Sequence, residues 1–243
     1  MELRQYQREA LEIIDNIKPG SYLVKLATGL GKTVIFTNIR RKGRVLVLAH
    51  REELIRQPAK YYSCPVGIEM ASERSNGEEV VIASVQSLVR RLDKFDPWEF
   101  DTIITDECHH GAAQTYKKIY QYFTPRLHLG FTATPSRGDG ARLDDVYEDI
   151  IFDRDLKWGI QQGYLSDIHC LRANIGYDLS KVARKMGDYA VGELENAMNV
   201  EAHNKAIADA YYKHAKGQTL IFATSVKHPQ DIAKEIDGAV AVT

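Results

Sequence analysis

Three short runs carry side chains that could act together: Ala27-Thr28-Gly29-Leu30-Gly31-Lys32-Thr33, Asp106-Glu107-Cys108-His109-His110, and Phe131-Thr132-Ala133-Thr134-Pro135. In the first, glycines free the backbone N–H groups of a turn, and a helix opening behind it adds further donors, a set suited to phosphate oxygens. Lys32 is placed to reach the β- and γ-phosphates of a nucleotide, ATP being the expected one, and the Thr33 hydroxyl to ligate Mg²⁺. The general phosphate-loop pattern G-x-x-x-x-G-K-[ST] lacks its first glycine here, because that position is Leu26. Asp106 and Glu107 end an apolar run. Beside a phosphate loop, the aspartate would hold Mg²⁺ through its waters and the glutamate would orient and deprotonate an attacking water. An acidic pair after a strand is most often a solvated turn when it stands alone; its place downstream of the loop favours chemistry. Cys108, His109 and His110 are adjacent and have no distant partner at ligand spacing, which argues against zinc and for His109 as a hydrogen-bonding link.

These runs need elements to hold them. Leu3, Tyr6, Ala10, Leu11, Ile14 and Ile17 recur at three- and four-residue spacing, so the chain opens with an amphipathic helix ended by Pro19-Gly20. Short β-rich runs follow at 22–26, 44–49, 79–84, 101–106 and 127–133. Most are continuously apolar, as strands buried on both faces must be. Helical segments fit between them at about 32–42, 50–62, 86–92 and 114–123. Such alternation predicts an α/β fold with a doubly wound parallel sheet. In that architecture ligands bind at the carboxyl ends of the strands, and ATGLGKT, AHREE, ASVQS, DECHH and TATPSR each follow one directly.

Past residue 155 the pattern changes to a helix-like segment, an extended one and a polar stretch. A helix over about 200–215 then leads into QTLIFATS (218–225), which reads as another buried strand, followed by a helix over 226–236 and AVAVT. The expected organisation is a first domain over 1–154, a connector over 155–217 and the start of a second α/β unit over 218–243. One helix and two strands cannot close a core of their own.

The composition bounds the rest. With 44% hydrophobic and 27% charged residues the chain reads as an ordinary soluble globular protein. A formal net charge of -1 removes the simple argument that a basic protein binds nucleic acid. Three scattered cysteines suggest neither a disulfide framework nor a zinc site, and no run approaches a membrane span, so a reducing cytoplasm is the expected compartment, nucleoid association included.

Taken in register, the motifs resemble the superfamily 2 helicases and translocases, specifically the DExH branch of restriction-enzyme motor subunits and related DNA-repair helicases. LRQYQ (3–7) is similar to the adenine-recognition element, ATGLGKT to motif I, and VLVLAHREELIRQ (45–57) to motif Ia. IASVQSL (82–88) is similar to the T-x-Q-x-L-like motif and DECHH to motif II. FTATPSRGDG (131–140) is similar to motif III, and QTLIFATS to the start of motif IV. The resemblance implies a RecA-like domain, ATP and Mg²⁺ as cofactors, and nucleic acid as partner, DNA in preference to RNA. It also implies that Gln7 bonds the adenine edge with Arg4 beside it, and that Thr28, Gly29, Leu30, Gly31, Lys32 and Thr33 cradle the phosphates. His109 would connect the nucleotide site to Thr132, Ala133 and Thr134. His50, Arg51, Ser84 and Gln86 would lie along the phosphodiester backbone, where hydroxyls and amides hold phosphates without a large net charge.

The family's later motifs, including an arginine that completes the ATP site, would lie past Thr243. Arginine fingers contribute roughly 10³ to 10⁵ in rate where they act, so this stretch by itself is expected to bind nucleotide and hydrolyse it poorly. Two other readings compete with an ATP-dependent helicase or translocase. A binding or regulatory module would use the same fold without a motor cycle. An ordinary phosphate-loop kinase would leave FTATP and Gln7 without a role.

Overall fold

The computed structural model describes residues 2–110, 114–134, 143, 145–172, 176, 178–185 and 188–242. In chain order the elements are α1 (Gln5–Asn16), β1 (Gly20–Leu26), α2 (Lys32–Thr37), β2 (Val45–Ala49), α3 (Glu52–Ala59), β3 (Val66–Glu69), β4 (Val80–Ser84), α4 (Val85–Leu88), β5 (Thr102–Asp106), α5 (Gln114–Tyr122), β6 (Leu127–Thr132), β7 (Asp149–Arg154), α6 (Leu156–Gln161), β8 (Arg184–Lys185), β9 (Asp188–Tyr189), α7 (Val191–Met198), α8 (Glu201–His214) and α9 (His228–Ala233). Single turns of 3₁₀ helix lie at Leu92–Lys94 and Cys108–His110. By compactness the chain divides into Met1–Asp167 and Ile168–Thr243.

In the first unit the strands form one sheet in the order β3-β4-β2-β5-β6-β1-β7, and every pairing is parallel. Alternation along β2 explains its two-sided burial. Val45, Val47 and Ala49 join a cluster with Tyr6, Ala10, Ile35, Phe36 and Ile55. Leu46 and Leu48 join another with Leu88, Phe100, Ile119 and Phe123. Successive strand residues face opposite layers, so a run that reads as uniformly apolar has helices on both sides. Each fully buried leucine contributes about 1.5–3 kcal/mol relative to exposure. Because all strands run the same way, the ends of β1, β2, β4, β5 and β6 share one edge, as the alternating pattern predicted.

Several local expectations differ. Helices α2, α3 and α4 are shorter than their sequence patterns, ending at Thr37, Ala59 and Leu88. Strands β3 and β7 were not foreseen. β3 is four residues long and contains Gly67 and Glu69, and that glutamate is buried against Arg91 at 2.8 Å. β7 is an edge strand with charged ends.

The second unit holds the antiparallel β8–β9 pair and a small cluster of Ala208, Ile232 and Ile236 from α8 and the α9 region. The strand expected over 218–225 is absent: Leu220 and Phe222 are 82% and 93% exposed, and no ladder forms there. A buried-strand composition produces a strand only where neighbouring strands supply hydrogen bonds and covering layers. Among the described residues no helix is long and apolar enough to cross a membrane.

Candidate functional site

The loop after β1 makes its turn with two glycines in the left-handed region, Gly29 at φ +86° and Gly31 at φ +76°. Thr28 and Gly29 are exposed, Leu30 is buried, and Lys32 and Thr33 open α2 half-buried. The Lys32 ammonium lies 3.3 Å from Glu107 Oε1, which joins the loop to the acidic pair across the sheet edge.

Asp106 ends β5 and is buried. Burial, and then the neighbouring Glu107 charge, push its carboxyl up to about 6, while the Glu107 N–H and Lys32 pull the other way. A buried carboxylate with so little compensation fits a divalent cation. Asp106 and the Thr33 hydroxyl are the hard oxygen donors of this edge that could serve Mg²⁺.

Glu107 has φ +47°, which an L-residue other than glycine adopts at a cost of roughly 1–2 kcal/mol. Three contacts hold it there. Its N–H donates to Asp106 Oδ1 at 3.0 Å, its carboxylate meets Lys32, and His109 Nδ1 stands 3.3 Å from Oε2. Cys108, next in sequence, is fully buried.

His109 Nδ1 is also 3.2 Å from Thr132 Oγ1 at the end of β6. The Thr132 hydroxyl donates to the Thr134 carbonyl at 3.0 Å and accepts the Thr134 N–H at 3.1 Å, so the imidazole nitrogen is the donor toward it. The geometry therefore joins His109, Thr132 and Thr134, with the half-buried Ala133 between them. The SRGDG extension at 136–140 lies outside the described residues.

The residues read as backbone contacts cluster at the ends of β2 and β4. His50, Arg51, Glu53, Leu54, Glu107 and His109 line a cleft of about 440 Å³. Burial, and then the neighbouring Arg51, hold His50 below the usual histidine range. Ser84 is buried, its hydroxyl donating to Gln86 Oε1 at 2.8 Å, while exposed Gln86 reaches the His50 carbonyl at 3.5 Å. A ligand would thus meet Gln86 and Arg51 before Ser84.

Arg4 caps α1, with its guanidinium 5.2 Å above the Tyr164 ring. Gln7 is buried. Its Oε1 accepts the Arg4 N–H at 3.0 Å and its Nε2 donates to the Leu30 carbonyl at 3.4 Å. Gln7 therefore touches the phosphate loop directly.

Sequence reasoning missed the supports. The Tyr6 hydroxyl donates to the Leu30 carbonyl at 2.7 Å; Tyr6 was read only as part of an apolar face. On the other sheet face, Tyr147 packs with Cys108, Leu23 and Leu143. A Cβ on Gly130 would fall 2.4 Å from the Tyr147 ring and 2.8 Å from Cys108 Sγ, so the absence of a side chain on β6 lets that cluster close beneath the acidic pair. Nothing in the spacing of these residues announces the contact.

The chain matches the family described as "Type III restriction enzyme, res subunit" over residues 1–137. It is 33% identical to IRC3 of Saccharomyces cerevisiae, an ATP-dependent helicase by name, over 96% of this chain and 38% of that protein. It is 32% identical to the DNA 3'-5' translocase XPB2 of Sulfurisphaera tokodaii over 58% of this chain and 32% of that protein. The Pyrococcus furiosus Hef helicase domain shares the fold, with a TM-score of 0.55 at 20% identity over 69% of this chain and 41% of that one. The chain thus spans well under half the length of these proteins.

Proposed function

This chain belongs to the family of Type III restriction enzyme res subunits, within the superfamily 2 helicases, and on that premise we propose that it is the nucleotide-binding part of an ATP-dependent helicase or double-strand translocase. The observation that carries the reading is the 3.3 Å approach of Lys32 to Glu107, which places a phosphate loop against a strained glutamate at one sheet edge.

With nucleotide present, Lys32 would exchange Glu107 for the β- and γ-phosphates. Glu107, released but still held in its turn by Asp106, would orient and deprotonate the attacking water. Mg²⁺ held by Thr33 and the Asp106 carboxylate would neutralise charge developing on the phosphates. Gln7 and Arg4 would read the adenine.

His109 would pass the state of Glu107 to Thr132 and so to the Thr132–Thr134 turn, because one imidazole nitrogen is within reach of both. His50 and Arg51 share a cleft with Glu107 and His109, which supports that edge as the place where a nucleic-acid backbone meets the ATP site, with Ser84 and Gln86 alongside. DNA is the favoured partner, in keeping with the translocase relative. A full cycle would draw on residues outside this chain, since its relatives are much longer, and turnover by residues 1–243 alone would be slow.

The test is ATP turnover by the protein carrying this chain, with single- and double-stranded DNA and RNA in turn. DNA should stimulate turnover most. Lys32→Ala should abolish nucleotide binding. Glu107→Gln should keep binding and lower turnover by roughly 10² to 10⁴. Unchanged turnover in Glu107→Gln would refute the assignment.

A further inference from the structure

The phosphate loop is gripped from two sides by segments far apart in sequence. On one side Tyr6 and Gln7 of α1 both donate to the Leu30 carbonyl, and a Cβ on Gly31 would stand 2.7 Å from Gln7 Nε2. On the other side lie α6 and the turn that follows it. A Cβ on Gly29 would stand 2.9 Å from Leu165 Cδ2, and one on Gly159 would stand 2.6 Å from Leu165 Cδ1 and 3.2 Å from Leu30 Cδ2. Leu165 is anchored by its own N–H, which donates to the Gly159 carbonyl at 3.0 Å. The two grips are joined by aromatic rings. Tyr6 meets Trp158 and Tyr164 edge-on at 5.2 and 4.8 Å, and Trp158 stacks on Tyr164 at 5.6 Å.

We infer that Leu165 is a positioning residue of the nucleotide site, closing the outer side of the phosphate loop and holding Gly29 in its left-handed turn, while Gln7 flanks Gly31, before nucleotide arrives. The inference rests on the nucleotide-binding reading above. Glycine has the largest backbone freedom to lose, about 1–2 kcal/mol per ordered residue, so a loop with two of them binds weakly unless something outside it sets its shape. Leu165 does this from outside the motif, packed against Gly29.

A second consequence follows from position. Leu165 lies two residues before Asp167, the last residue of the first compact unit. Occupancy of the loop and order in the exit segment Tyr164–Ile168 are therefore coupled, and thermodynamic linkage makes that coupling reciprocal.

The experiment uses the 243-residue chain, with ATP and Mg²⁺ as the probe. Affinity is measured well below the unfolding temperature, with amide hydrogen exchange followed over 164–168. Leu165→Ala should bind about tenfold more weakly, equivalent to about 1.4 kcal/mol, and should lose the nucleotide-induced protection of 164–168 that the parent chain gains. Leu165→Met, which fills the same space, should restore both. Gly159→Ala displaces Leu165 by a different route, its methyl crowding Leu165 Cδ1 and Leu30 Cδ2; it too should weaken binding by the folded protein. A purely structural role for Leu165 would lower stability and leave the affinity of the folded protein unchanged. Parent-like affinity in Leu165→Ala and Gly159→Ala, with the parent binding normally, overturns this inference alone. Failure of the parent to bind ATP overturns the nucleotide reading and this inference with it.

Discussion

At the acidic pair, backbone strain and side-chain contacts point the same way. Glu107 sits at φ +47° where β5 gives way to a single 3₁₀ turn, and it stays there because Lys32, His109 and Asp106 all contact it. Cys108, next in sequence, packs with Leu23 and Tyr147. It is fully buried, and burial pushes its thiol up, so it acts there as a small apolar group that also meets the Tyr147 hydroxyl. Gly130 is the weak point of the arrangement, because any side chain at this position of β6 collides with both partners. Gly130→Ala should therefore destabilise the protein by roughly 1–3 kcal/mol, the cost of overpacking a closed core, read as a lower urea midpoint at unchanged slope. An unchanged midpoint would mean that Tyr147 moves aside freely.

The strands do two jobs, carrying functional residues on one edge and burying a polar network behind them. In that network Ser21 Oγ meets His128 Nδ1 at 3.0 Å, Thr105 Oγ1 meets His128 Nε2 at 3.3 Å, and Thr105 meets the Tyr120 hydroxyl at 3.0 Å, joining β1, β5, β6 and α5. Burial holds His128 down to about 3, so it is neutral in the folded protein. The unfolded chain takes up this proton near pH 6.5. The folded state thus has its full stability above pH 6.5 and loses it as pH falls toward 3, by up to on the order of 5 kcal/mol at the acid end. His128→Gln should flatten this part of the stability–pH curve, measured by urea unfolding between pH 7 and about 4. Parallel curves for parent and variant would show that His128 is not the group responsible.

The whole molecule has an uneven build. Met1–Asp167 contains the seven-stranded sheet, its covering helices and every candidate site residue, whereas Ile168–Thr243 relies on one small apolar cluster and a polar network around His228 and Asn204. Burial on that scale indicates that the first unit carries its own stability. Residues 1–167 expressed alone should fold cooperatively and bind ATP within about twofold of the whole chain, since the Leu165 contact is retained. Loss of cooperative unfolding in this fragment would show that the second unit contributes to the first unit's core.

The sequence by itself determined the parallel α/β class, five of the strand runs of the central sheet and the residues proposed to do chemistry at its edge. Five buried residues of β2, β4 or β5 announce themselves without reference to anything else, and a Gly-x-Gly-Lys-Thr turn or an Asp-Glu pair carries its own donors and charges. Only the tertiary structure decided the strand order, the two edge strands β3 and β7, the absence of a strand at 218–225, and the contacts of Lys32 with Glu107, Gln7 with Leu30, Tyr147 with Cys108 and Leu165 with Gly29. Each of these depends on a partner distant in the chain. A ladder needs a neighbouring strand, and a glycine's missing side chain has meaning only once the atom that would occupy its place is known.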